Sequence, residues 1–164
     1  MQALSGNGQV ALGSSALTIN NAAADTFAGV MGGSGSLSKT GAGVLTLTGA
    51  NTFTGTTNIG AGTLQLGAGG SSGSLAGAIA NNATLNINRS DAYSLAGVLS
   101  GSGTFNQNGS GSTTLAQVGT QGDINVNAGQ LVFGQSGSFG AANLTVAGGG
   151  TATVGNAARV AATG

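Results

Sequence analysis

Paired apolar residues, one position apart, recur along the chain at steps close to twenty residues. The pairs are Leu45/Leu47, Leu64/Leu66 and Leu85/Ile87; the beat continues around Phe105, then at Ile124/Val126 and Leu144/Val146. Side chains at i and i+2 of a strand project from one face, and the residue between them projects from the other. The residues between are Thr, Gln and Asn, so each pair reads as a short strand with an apolar and a polar side. A beat of ~20 residues with period-two alternation is the pattern of a parallel β-solenoid, one strand set per coil. Helical spacing is missing, and glycine every few residues would penalise a helix heavily. A sandwich would show hairpin dipeptides between strands, yet Asn-Gly occurs only at 7–8 and 108–109, and Asp-Gly not at all.

A longer repeat lies over this beat. ALTIN at 16–20 returns as TLNIN at 84–88, and FAGVMGGSGSL at 27–37 returns as LAGVLSGSGTF at 95–105, both shifted by 68 (84 − 16 and 95 − 27). NIGAGTLQLG at 58–67 returns as NVNAGQLVFG at 125–134, shifted by 67 (125 − 58). Residues 1–164 therefore read as one solenoid with units at about 16–67 and 84–134 and a partial unit at 143–164.

The absence of proline among 164 residues suits a chain whose backbone N–H groups are almost all used in ladders. The 34 glycines suit tight corners and close stacking. At ~20 residues per coil the chain makes about eight coils, a rod of roughly 35–40 Å at the spacing of stacked strands. The expected interior consists of Leu45, Leu47, Phe53, Leu64, Leu66, Leu85, Ile87, Phe105, Ile124, Val126, Leu131, Phe133, Leu144 and Val146.

Chemistry-bearing residues are few. Three bases (Lys39, Arg89, Arg159) balance three acids (Asp25, Asp91, Asp123), with no His and no Cys. Nucleic-acid binding requires clustered Lys and Arg, and a nucleophilic triad requires a base such as His; neither is expected. Asp25 and Asp91, 66 residues apart (91 − 25), read as near-equivalent corners three coils apart, roughly 14 Å. That exceeds the ~5–9.5 Å between glycosidase carboxylates. Arg89 and Asp91 read as a surface pair of little energetic weight. Solenoid Ca²⁺ motifs need an Asp in every repeat. The expectation is thus a non-catalytic chain with no cofactor, no metal and no small-molecule substrate. Tyr93 is the one aromatic expected at the surface. Thr46, Thr48, Thr52, Thr54, Thr56 and Thr57 suggest an ice-binding face only locally, since the second unit offers just Thr113-Thr114 there. Asn51, Asn58, Asn81, Asn82, Asn125 and Asn127 are expected to stack in corner ladders.

Residues 37–67 resemble the autotransporter-associated β-strand repeat, also called the passenger-associated transport repeat. The resemblance rests on Leu37-x-Lys39-x-Gly41-x-Gly43, Leu45-Thr46-Leu47, the phrase from Gly49 to Gly55, and Gly62-Thr63-Leu64-Gln65-Leu66. The second copy departs from it: Gln107 stands in place of Lys39 and Thr113 in place of Leu45. The resemblance implies a right-handed parallel β-helix from the passenger of a type V secreted protein of Gram-negative bacteria. It implies a stalk whose folding outside the cell assists outer-membrane translocation, with a β-barrel translocator elsewhere in the parent chain. The opening MQALSGNGQ has neither a basic nor an apolar region, so no signal peptide is expected and the chain reads as an excised piece. The alternative is an adhesive or self-associating extracellular module, joined head to tail through uncapped ends. On the stalk and folding-segment reading, an Asp at Leu47 or Leu66 abolishes folding, and Lys39→Ala has no effect.

Overall fold

A computed structural model describes residues 1–134, 138–154 and 159–162 of the chain. Every regular element among them is a β-strand. The first ten are β1 (Gln9–Gly13), β2 (Leu17–Ile19), β3 (Asp25–Phe27), β4 (Val30–Gly33), β5 (Leu37–Lys39), β6 (Val44–Leu47), β7 (Thr57–Ile59), β8 (Thr63–Leu66), β9 (Ile79–Asn81) and β10 (Thr84–Ile87). The rest are β11 (Ala92–Ser100), β12 (Thr104–Gln107), β13 (Ser112–Val118), β14 (Thr120–Gln121), β15 (Ile124–Val126), β16 (Gly129–Phe133), β17 (Ser138–Ala141), β18 (Leu144–Val146), β19 (Gly150–Val154) and β20 (Arg159–Ala162).

Strands next to one another in sequence lie on different sides of a coil, and each hydrogen bonds in parallel to its counterpart one coil on. Strands β3, β6, β8, β10, β12, β15 and β18 stack as one side. There Phe27, Leu47, Leu66, Ile87, Gln107, Val126 and Val146 are successive partners, at steps of 20, 19, 21, 20, 19 and 20 residues. The adjacent column runs Asp25, Leu45, Leu64, Leu85, Phe105, Ile124 and Leu144. A second side begins with β2, β5, β7 and β9. Strand β11 turns a corner: Ala92–Leu95 pair with β13, the register shifts, and Leu99–Ser100 pair with β9. The result is an all-β solenoid of about seven coils. That is one fewer than length divided by twenty suggests, because residues 1–13 make only part of a coil. They lie along the first full one through the Gly6–Phe27 bridge and the β1–β4 pairing.

The interior is one continuous apolar cluster. Leu45, Leu47, Phe53, Leu64, Leu66, Leu85, Ile87, Phe105, Ile124, Val126, Leu131 and Phe133 are all buried in it. Two residues expected there behave differently. Leu144 is only half-buried and Val146 is 46% exposed. Both lie on β18, the terminal strand of its sheet, so no further described coil covers them. Part of the unit at 143–164 lies outside the described residues.

Corners are where glycine is indispensable. A Cβ on Gly41 would stand 2.0 Å from the Asn21 carbonyl oxygen of the coil beneath. Gly62 has a φ of +66°, in the left-handed region that favours glycine. The G-x-G phrases at 41–43 and 60–62 thus reflect both close stacking and backbone conformation.

Candidate functional site

A solenoid corner turns main-chain carbonyls away from the ladders, some of them inward. An inward carbonyl without a donor costs about 1–3 kcal/mol. Here donors come from polar side chains buried in the apolar interior. Lys39 is fully buried; its Nζ donates to the carbonyl of Gly41 and, at 3.2 Å, to that of Ala61 one coil on. Asn21 Nδ2 donates to Ala23 (2.7 Å) and Val44 (3.0 Å). Asn81 Nδ2 donates to Thr104 (3.0 Å), Gln107 Nε2 to Gly109 (2.9 Å) and Gln121 Nε2 to Gly103 (2.6 Å). The amide oxygens of Asn21, Asn81, Gln107 and Gln121 have no partner among the described residues. These corners therefore call for donors, and Lys, which has no acceptor, matches that demand at the cost of a buried charge.

Asn51 uses its whole amide. Its Oδ1 accepts from the Met31 N–H (3.0 Å) in the coil before, and its Nδ2 donates to Gly49 (3.1 Å) and to Ser74 (3.1 Å) in the coil after. One side chain thus ties three consecutive coils. Burial holds the Lys39 ammonium below its usual pKa, while the Asp25 carboxylate acts in the opposite sense.

A second polar cluster grips the segment between β8 and β9. Arg89 Nη1 donates to Gly73 (2.6 Å), Nη2 donates to Ser71 (2.7 Å), and Nε and Nη2 hold both carboxylate oxygens of Asp91 at 3.0 and 2.8 Å. The guanidinium lies 4.7 Å from the centroid of the Tyr93 ring. The Tyr93 hydroxyl accepts from the Leu75 N–H at 3.2 Å. Burial pushes the Tyr93 phenol up, against smaller effects of the Leu75 hydrogen bond and of Arg89. The hydrogen bond to Arg89 holds the Asp91 carboxyl below the usual range.

Several expectations change here. Lys39, expected to tolerate replacement by Ala, lies fully buried, where its ammonium bonds two corner carbonyls. Tyr93 is buried, because its ring covers the interior while its hydroxyl reaches a backbone group. In the Arg89–Asp91 pair the arginine is buried, only 8% exposed, whereas the Asp91 side chain is 36% exposed. Asp25 and Asp91 are not equivalent: Asp25 aligns with Leu45 inside a strand, whereas Asp91 lies six residues beyond Leu85 of that column (91 − 85). Asn51 and Asn81 cap carbonyls, whereas the ladder on the outer face links Asn125 to Asn106 and Asn106 to Asn86, each at 2.8 Å. Asn127 bonds Asn108 at 2.8 Å. Thr57 is buried and does not contribute to a surface patch. A signal for the buried posts was present in the sequence: Lys39, Asn81 and Gln121 each stand at an inward strand end where other coils carry Ile19, Ile59 or Ala141.

Residues 37–66, the coils holding Lys39 and Asn51, match the passenger-associated-transport-repeat family. The match takes in 30 residues (66 − 37 + 1) of the 164. The repeat covers β5 to β8, and its Lys, Asn and paired Leu residues are the ones that cap corners and fill columns. The chain is also similar to the Adhesin BmaC autotransporter of Brucella suis biovar 1 (strain 1330), 43% identical over 95 residues. That similarity takes in 51% of this chain and 3% of the relative's length. No solved structure matches the chain.

Among the described residues, no three His, Cys, Asp or Glu side chains group to hold a metal ion. Among those residues, too, no helix is long and apolar enough to cross a membrane.

Proposed function

We propose that this chain is a non-catalytic stalk and folding segment of a bacterial autotransporter passenger, secreted or displayed at the cell surface. The observation that carries this reading is the placement of the repeat. Its side chains serve stacking: Leu45, Leu47, Leu64 and Leu66 fill columns, and Lys39 and Asn51 cap carbonyls. Each coil added buries apolar surface against the last, so folding can propagate coil by coil. Growth of that kind outside the cell favours outward movement of the chain through a β-barrel translocator belonging to the parent protein. The test places the chain between a signal peptide and such a translocator and scores surface arrival by protease accessibility. Leu47→Asp lowers the amount displayed; equal display with and without that change would sink the proposal.

The name of the similar adhesin favours a second reading, an adhesive or self-associating module. Strands β3 and β18 end their sheet, and an unpaired edge can template a further strand. Light scattering over a concentration series shows a growing assembly if copies join head to tail. A strictly monomeric species excludes that association.

A further inference from the structure

The apolar columns do not distinguish one coil from the next. Leu45, Leu64 and Leu85 occupy one column, and Leu47, Leu66 and Ile87 the other. A stack that skipped β8 and set Leu45 against Leu85 would bury the same kinds of side chain. Apolar burial is non-directional, so it cannot select which coil follows which. Hydrogen-bonded posts can.

We infer that Lys39 and Asn51 are positioning residues that select the order of coils, by bonds that only the correct neighbour can satisfy. The corner from β7 to β8 has three residues, Gly60, Ala61 and Gly62, whereas the corner from β9 to β10 has two, Asn82 and Ala83. In the three-residue corner the Ile59 and Gly62 carbonyls accept from Asn82 and Thr84, and the Ala61 carbonyl between them receives Lys39. The shorter corner is built differently: its Asn81 and Ala83 carbonyls accept from Gly103 and Thr104, each at 2.8 Å, and only Asn82 stands between them. A skipped stack would take the Ala61 carbonyl from the ammonium and set Lys39 against Asn81, the next residue of its column after Ile59. Asn51 makes the same discrimination on the third side. Ser74 accepts from both the N–H and the Nδ2 of Asn51 and returns its own N–H to Gly49. One coil further on, the chain runs as a regular strand there, with Tyr93 and Ser94 in register with Thr113 and Thr114. A buried polar group that fixes register at some expense of stability is a well-attested use of such residues. The inference rests on coil stacking alone and holds whether the segment serves as a stalk or as an adhesive surface.

The test uses the full chain with outward cysteine pairs on neighbouring strands. Val44 and Thr63 are register partners, as are Thr63 and Thr84. V44C/T63C therefore lies at about 4.8 Å, within disulfide reach, and V44C/T84C at roughly twice that, outside it. With Lys39 and Asn51 present, only the first pair oxidises. In a K39M/N51L background the second pair gains a disulfide and the yield of the first falls several-fold, read by mass spectrometry. An L64A background, destabilised by a cavity, keeps the first disulfide alone. A K39M/N51L chain that folds and shows only the first disulfide overturns the inference. Should the double variant lose its β signal, K39M and N51L are read singly. Failure of both to fold also overturns it, because the two residues would then supply stability and not selection.

Discussion

Lys39 Nζ lies 3.2 Å from the carbonyl oxygen of Ala61, so an ammonium in the interior joins two successive corners of the transport repeat. Lys39→Ala removes the donor for that carbonyl and for Gly41. Two buried acceptors without partners, at about 1–3 kcal/mol each, outweigh the relief of an unburied charge. The expected loss is about 2–3 kcal/mol, seen as a lower urea midpoint with an unchanged slope. An unchanged midpoint would show that the corner reorganises around water.

The same residue sets a pH dependence. Burial lowers the Lys39 pKa in the folded chain, so the unfolded chain binds more protons between that value and about 10.4. Stability therefore rises with pH through this window. Tyr93 acts oppositely: its raised pKa means the folded chain keeps the phenolic proton longer, and stability falls above about 10. Denaturation midpoints across the alkaline range should climb and then drop. Lys39→Met removes the climb, and Tyr93→Phe removes the drop.

Arg89→Ala frees the segment from Gly67 to Leu75. The carbonyls of Ser71 and Gly73 lose charge-assisted bonds, and Tyr93 loses the cation over its ring. Limited proteolysis should cut within this segment faster in the variant than in the parent. Arg89→Lys restores little, because an ammonium cannot reach both carbonyls and Asp91 in the planar fork that guanidinium provides. The folded-state depression of the Asp91 pKa adds stability above the ordinary carboxylate range that is lost as pH falls through the folded value. Asp91→Asn flattens that acid limb.

Leu47→Asp and Leu66→Asp put a carboxylate at fully buried positions of one column, with no partner designed for it. Unpaired buried charge costs more than a chain of this size has to lose. Circular dichroism should show loss of β structure in both. Thr46→Asp, on the outer side of the same strand, should leave the spectrum intact.

The beat of Leu45/Leu47, Leu64/Leu66 and Leu85/Ile87 was legible because strand alternation has a fixed period of two and stacked coils need the same pattern at each step. From it follow the all-β class, the parallel stacking and the interior from Leu45 to Phe133. Lys39 stands at an inward position of the same alternation, yet its burial, like that of Arg89, was not read from it. A charged residue in a polar-rich stretch reads as a surface group until the corner carbonyls facing it are in place. Val146 shows the converse, since alternation marks it as inward but burial requires a coil on both sides.

The amino-acid sequence by itself determined the periodicity, the strand faces and the scarcity of reactive groups, because these depend on local geometry and composition. Only the tertiary structure decided which polar side chains go inside, which carbonyls they cap and how the coils are tied to one another. Those depend on corner lengths and on groups some twenty residues apart meeting across the stack.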